Sequence, residues 1–304
     1  MKSDGPAFLN EQQVRQHLRM ADLIPVMERA LIDFSAGRVT QPVRSVIKVD
    51  PPGGFLGLMP ASTPEGLGLK AVTFYPSNAE RGIPTHMATI FLLDPQTGMP
   101  LAIMDGRLIT EMRTAAVSAA ATKLLAAPES KILAILGSGV QARSHAEALR
   151  LIRNFEDIRV WSPTRDHAKQ FAGEIGATAV SAKEAVRGAD VVLTVTNSKK
   201  PVLKGSWLKS GCHVNAIGAC RPDWRELDDE AMTNVVFVDS REGAMKESGD
   251  VILSGAKIYA ELGEALAGKI PARANETTVF KSLGMAVEDI SAGMLVYRLA
   301  IATL

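Results

Sequence analysis

Hydrophobic positions change their period twice along the chain. Over residues 9–36, Leu23, Ile24, Met27, Leu31 and Phe34 recur at helical spacing, with Asn10 or Ser3 as the candidate cap and Gly37 as the stop. Between residues 42 and 106 the pattern breaks into short pieces: "RSVIKVD", "FLGLMPAS", "LGLKAVTFYP", "THMATIFLLD" and "LAIMDG". Branched and aromatic residues bounded by turn signals such as "PPGG" and "PQTGMP" predict an antiparallel or mixed sheet here. "LITEMRTAAVSAAATKLLAAP" then predicts a long helix ending before Pro128, with small residues that allow close packing on a neighbour.

From residue 131 strands and helices alternate: "KILAILG", "VQARSHAEALRLIRN", "DIRVWSP", "RDHAKQFAGEIG", "ATAVS", "AKEAVRGA", "DVVLTVTN", "GCHVNAIG" and "VVFVDS". Strands apolar on both faces and joined by short turns predict a parallel, doubly wound sheet. The C-terminal "TVFKSLGMAVEDISAGMLVYRLAIATL" reads as helix with a broad apolar face, returning to the first domain.

One turn in this alternation carries chemistry. Gly137-Ser138-Gly139-Val140-Gln141-Ala142 fits G-x-G-x-x-[GA], with a strand before it and a helix after. The first glycine permits the tight turn, the second admits a pyrophosphate to the backbone, and the small third residue lets the helix pack on the strand. The helix start adds free N–H groups and a partial positive charge. Any tight strand-to-helix turn is the bland alternative, but the ordered strand, turn, helix and strand favour dinucleotide binding. The next strand ends "IRVWSPTRD", with Ser162, Thr164 and Arg165 where an NAD enzyme places an acid on the ribose. Hydroxyls and a guanidinium suit a 2′-phosphate, which predicts NADPH, with NADH as the alternative; Asp166 is a candidate cap for the following helix. Ligands sit outside the carboxyl ends of such strands, which marks Thr194, Val195, Thr196, Ile217 and Gly218 as further cofactor contacts or, equally, as ordinary strand ends.

Composition narrows the class. The chain has 304 residues, 46% hydrophobic and 22% charged, with a net charge of +1, and its Lys and Arg are dispersed. That excludes nucleic acid or an acidic membrane as the main partner. Two cysteines, Cys212 and Cys220, predict neither a disulfide framework nor a metal site. The N-terminal stretch has no apolar core of a secretory signal, and no long uncharged apolar run occurs, so a cytoplasmic location is expected. In the first half, Arg44, Lys70 and Arg113 are read at loop or element ends beside apolar neighbours, where a cation is costly without an anion. Converging, they would clamp a carboxylate; singly, each is a surface charge. His86 is an acid or orienting donor, or else a core histidine.

Several long motifs then point one way. "MPASTPEGLGLKAVTFYP", "RTAAVSAAATKLL", "ILGSGVQARSH", "NAIGACRPDWRELDDE", "KESGDVILSGA" and "TTVFKSLGMAVED", spread over nearly the whole chain, resemble the ornithine cyclodeaminase/mu-crystallin family, and "RPDWREL" and "KESGDV" its ketimine reductase (mu-crystallin) branch. The resemblance implies an α/β fold: a Rossmann-type doubly wound parallel sheet domain over residues 115–286, plus an α+β substrate-binding and dimerisation domain over 1–114 completed by 287–304. It implies a homodimer, a substrate carboxylate on Arg44, Lys70 and Arg113, and a cofactor on Gly137, Gly139, Val140 and Gln141 with Thr114. The implied activity is NAD(P)H-dependent reduction of cyclic ketimines of the piperideine- or pyrroline-2-carboxylate type, with Lys70 first and His86 second as the proton donor.

Three departures from the family pattern bear on this. Cyclodeaminases carry Glu where this chain has Gly57 and Asp where it has Cys220, which speaks against cyclodeamination of a diamino acid. Mu-crystallins resemble "WNRT" where this chain reads "WSPT", so Pro163 stands in the place of an Arg. The alternatives are a thyroid-hormone-binding protein of the mu-crystallin kind, an alanine or N-methyl amino acid dehydrogenase acting on open imines, and an ornithine cyclodeaminase.

Overall fold

Asn10 starts the first helix by a reciprocal cap: its side chain accepts from Gln13 N at 3.0 Å while Gln13 Oε1 accepts from Asn10 N at 3.0 Å. The computed structural model describes residues 5–302, so Ser3, the other candidate cap, lies outside the described residues. Two compact units form: Met1–Arg113 with Met285–Leu304, and Thr114–Gly284.

The first unit is built on a six-stranded sheet. Its strands are β1 (Ala7–Leu9), β2 (Ser45–Val49), β3 (Gly54–Thr63), β4 (Gly66–Phe74), β5 (His86–Leu93) and β6 (Pro100–Asp105), in the order β1-β6-β5-β4-β3-β2. All neighbours are antiparallel except β1 and β6, so the sheet is mixed. The predicted N-terminal helical stretch divides into α1 (Glu11–His17) and α2 (Met20–Ser35), and α2 buries Leu23, Ile24, Met27 and Leu31. The last helix of the chain, α10 (Ala286–Ile301), packs on α2 and across β3, β4 and β5. It comes close because β4 carries glycine beneath it: a Cβ on Gly68 would stand 2.9 Å from Ile290 Cδ1. Val287 N is also tied to the Gln41 side chain at 2.8 Å. Between the two units' sequence ranges runs α3 (Arg107–Leu125), whose Ala115, Ala116, Ala119, Ala120 and Ala121 are buried.

The second unit is an eight-stranded, all-parallel sheet. Its strands and helices alternate as the sequence pattern implies: β7 (Ile132–Leu136), α4 (Val140–Ile152), β8 (Asp157–Trp161), α5 (Arg165–Ile175), β9 (Thr178–Ala179), α6 (Ala182–Val186), β10 (Val191–Thr194), β11 (His213–Ala216) and β12 (Val235–Val238). Short helices α7 (Arg241–Glu247), α8 (Gly249–Ser254) and α9 (Leu262–Leu266) surround β13 (Ile258–Glu261), and β14 (Thr278–Lys281) follows. The order is β13-β12-β14-β11-β10-β7-β8-β9, so the winding reverses between β7 and β10. A doubly wound sheet with that reversal is the Rossmann-type arrangement, with a crevice at the carboxyl ends of β7 and β10.

One element corrects the sequence reading. "TVFK" is a strand rather than the start of the last helix. It is inserted in the middle of the sheet, where Thr278 pairs with both His213 and Val235. A four-residue segment has no period of its own, and only the gap between β11 and β12 selects its conformation. Gly284, at φ 77°, then turns the chain before α10 begins at Ala286.

Candidate active site

In the first unit two of the three predicted clamp cations, Lys70 and Arg113, lie inside elements rather than at their ends. Lys70 is central in β4, paired with Met59 on β3 and Ile90 on β5, and is 1% exposed; Arg113 is inside α3 and 5% exposed. What makes such burial tolerable is a pair of acids that the sequence reading left out. Lys70 Nζ stands 2.6 Å from Asp289 Oδ2, Arg113 Nε donates to Asp289 Oδ1 at 3.0 Å, and Arg113 Nη1 donates to Glu288 Oε2 at 2.7 Å. Both acids sit in the first turn of α10 and are fully buried. Thr110 Oγ1, whose own proton goes to Gly106 O at 2.7 Å, lies 3.5 Å from Lys70 Nζ.

Burial pushes the Lys70 ammonium down to about 8; the Asp289 carboxylate opposes that shift, and the charges of Arg113 and Arg44 add to it. Arg44, half-buried just ahead of β2, is thus within electrostatic reach of the pair. Gly57 lies on the same sheet face as Lys70, because it pairs with Val72 while Met59 pairs with Lys70. A Cβ there would stand 3.1 Å from Val72 Cγ1. His86 is not brought into this cluster. It opens β5, exposed and with its ring tilted against Phe74 at 5.3 Å between ring centroids, and it lies four residues, roughly 13 Å along the strand, from the Ile90 that pairs with Lys70.

In the second unit Gly137 sits at the end of β7 with φ 131°, and a Cβ there would be 2.6 Å from Val195 O. Only glycine permits both that angle and that approach of the β7 and β10 tips. Gly139 is the N-cap of α4, without a side-chain cap and with no acid in the first turn, and a Cβ added to it would meet nothing within 4 Å. Gln141 Oε1 is buried at the same turn with no hydrogen-bond partner, and Val140 beside it is 51% exposed. Unspent helix N–H groups, open space at the second glycine and an unsatisfied amide suit a pyrophosphate-bearing cofactor. At the β8 tip Ser138 Oγ donates to Ser162 Oγ at 2.9 Å, while Thr164 and Arg165 are exposed. Thr164 is the N-cap of α5, so Asp166 falls in the first turn instead of capping it. Thr114, on α3, is 7% exposed, and its carbonyl accepts from Ser118 Oγ at 3.3 Å.

The β10 and β11 tips are braced by a residue that sequence reasoning passed over, Glu226. Its carboxylate, fully buried, accepts from Thr194 Oγ1 at 2.9 Å, Thr196 N at 2.6 Å, Thr196 Oγ1 at 2.7 Å and Gly218 N at 2.6 Å. The hydroxyls of Thr194 and Thr196 therefore face Glu226, and Thr194 is 0% exposed. Asp250 Oδ1 in turn accepts from Glu226 N and Leu227 N, and Lys281 Nζ stands 3.1 Å from Asp250 Oδ2. Burial raises the Glu226 carboxyl above its usual range, with the Lys281 charge pulling the other way. The signal lay in "RPDWREL", an acid among apolar and cationic residues, but no sequence period assigns it to two strand tips. Among the described residues no helix is long and apolar enough to cross a membrane.

A glycine turn at the switch point of a doubly wound sheet defines an α/β protein with a Rossmann-type, NAD-binding fold. The chain belongs to the ornithine cyclodeaminase/mu-crystallin family, which it matches over residues 5–303. It is 54% identical to the ketimine reductase mu-crystallin of Mus musculus over 96% of this chain and 97% of the mouse protein. The structure of Thermococcus litoralis Δ1-pyrroline-2-carboxylate reductase in complex with NADH and L-proline superposes with a TM-score of 0.93 at 38% identity, covering 98% of each chain. An archaeal alanine dehydrogenase dimer with bound NAD superposes with a TM-score of 0.92 at 32% identity, covering 98% of this chain and 97% of that one.

Proposed function

We propose that this protein is an NAD(P)H-dependent reductase of cyclic ketimines, converting imines of the piperideine- or pyrroline-2-carboxylate type to cyclic amino acids. The observation that carries this reading is the buried Lys70–Arg113 cluster, in a chain 38% identical to a pyrroline-2-carboxylate reductase that holds L-proline, the amino acid such a reduction yields. Arg44 and Arg113 bind the substrate carboxylate, with Lys70 beside them at the imine end. When bound on Gly137, Gly139, Val140 and Gln141, the reduced nicotinamide cofactor supplies the hydride. Lys70 protonates the ring nitrogen, since an ammonium whose proton is held only to about pH 8 is a competent general acid near neutrality. His86, distant from Lys70 along its strand, has no part in that transfer. Holding the acceptor in one orientation is the main contribution of the clamp. Gly57 leaves the Lys70 face of β3 without the carboxylate that a free amine would need, which favours an imine that enters already cyclic over a diamino acid.

NADPH is the favoured cofactor, because Ser162, Thr164 and Arg165 at the β8 tip offer hydroxyls and a guanidinium for a 2′-phosphate. A cytoplasmic homodimer is part of the same reading. The archaeal relative that superposes on this chain is a dimer, and here Val46 and Ile47 on the edge strand β2 and Met87 on β5 are exposed apolar side chains suited to a second copy. The test is oxidation of NADPH and NADH with cyclic ketimine carboxylates and, separately, with pyruvate plus ammonia. Turnover with the cyclic substrates, faster with NADPH, is expected; turnover with pyruvate and ammonia alone would move the assignment to an open-imine dehydrogenase.

A further inference from the structure

We propose that Asp289, at the start of α10, is a positioning residue for the reduction: its carboxylate spans Lys70 and Arg113, sets their separation and aims the remaining Lys70 N–H at the imine nitrogen. The inference rests on the reductase reading above. The geometry accounts for the Lys70 donors. An ammonium has three N–H bonds. Nζ is ion-paired with Asp289 Oδ2 at 2.6 Å and reaches Thr110 Oγ1 at 3.5 Å. Met59 and Ile90 flank Lys70 on the neighbouring strands with apolar side chains, so they offer it no acceptor. Nζ therefore keeps donor capacity for a ligand. Asp289 Oδ1 meanwhile holds Arg113 Nε at 3.0 Å, so a single rigid carboxylate fixes both cations.

In the step itself, C2 of the imine takes up hydride and the C=N electron pair moves onto nitrogen. An N–H bond forms there with the Lys70 proton, the N–H electron pair stays on Nζ, and water restores the proton between turnovers. Asp289 is not consumed. The charges that bear on Lys70 are Asp289 from α10, Arg113 from α3 and Arg44 from the segment before β2, while Glu288 of α10 faces Arg113. Of these, Asp289 favours the ammonium and the two arginines disfavour it, so activity that needs the Lys70 proton falls as pH rises through about 8.

The experiment compares kcat–pH profiles of wild type, Asp289→Asn and Asp289→Glu with a cyclic ketimine carboxylate at saturating cofactor. Removing the carboxylate charge in Asp289→Asn is expected to move the basic limb down by about one pH unit or more. Asp289→Glu keeps the charge but displaces it by a methylene, so the limb stays and kcat falls about tenfold or more. A limb at the same pH in wild type and Asp289→Asn belongs to the substrate nitrogen or to another group, and overturns the proposal. Should Asp289→Asn not fold, an unchanged kcat in Asp289→Glu overturns it equally. Absence of wild-type turnover with every cyclic ketimine defeats the reductase reading instead. In that event an NMR titration of the Lys70 side chain in the cofactor-free protein still decides the role of Asp289: its midpoint drops in Asp289→Asn or, against the proposal, stays.

Discussion

Each unit of this protein buries a charged cluster, and the two are finished differently. In the second unit Glu226 receives four hydrogen bonds from the β10 and β11 tips, and Asp250 caps the backbone behind it with Lys281 alongside. Its acceptor capacity is filled by fixed protein donors, which makes it a brace. In the first unit Asp289 and Glu288 hold Lys70 and Arg113, but Lys70 keeps donor capacity beyond Asp289 and Thr110. A buried polar group with nothing left to bond stiffens a structure, whereas one with a donor in reserve can meet a ligand. For these two carboxylates burial alone does not separate scaffold from reagent: Glu226 is saturated by fixed donors, whereas Asp289 shares its cations with whatever ligand Lys70 meets.

The largest effect expected from breaking this contrast is at Arg113. Arg113→Met removes one partner from each of two fully buried carboxylates, Glu288 and Asp289, and loss of one partner of such a cluster costs about 3–5 kcal/mol. Urea unfolding should report that loss; a cost under about 1 kcal/mol would mean that the cluster behaves like an exposed ion pair. Next comes Glu226→Gln, which turns an NH2 toward donors that need an acceptor and leaves a buried group unmade at about 1–3 kcal/mol. Cofactor affinity, read from quenching of NAD(P)H fluorescence on binding, should fall by roughly tenfold, while the imine KM stays nearly unchanged. A matching rise in the imine KM would erase the distinction between brace and clamp. The smallest structural effect belongs to Gly139→Val. With open space around the position, melting should hardly change, yet the side chain would occupy the phosphate approach and weaken cofactor binding by about tenfold or more. Unaltered binding would take the phosphate away from this turn.

The parts of the fold that were legible in the sequence are those with a repeating signal. The alternation from Lys131 onward yields the parallel sheet, and the G-x-G-x-x-A turn falls between β7 and α4. "TVFK" reads as helix from the sequence because four residues carry no period, and its place between β11 and β12 is a long-range pairing. The candidate site was legible on one side only. Lys70 and Arg113 stood out as cations among apolar neighbours, but Asp289 and Glu288 lie more than 170 residues from Arg113, in a stretch read simply as an apolar helix. Local patterning carries no record of which distant acid meets which cation.

By itself, then, the amino-acid order determined the elements, the dinucleotide turn and the family motifs, because hydrophobic period and turn chemistry act over a few residues. Only the tertiary structure decided that α10 sets Asp289 against Lys70 and Arg113. The physical reason is desolvation. A cation inside a sheet and a carboxylate inside a helix are each too costly to bury alone, and only the packing of one element on the other supplies the counter-charge.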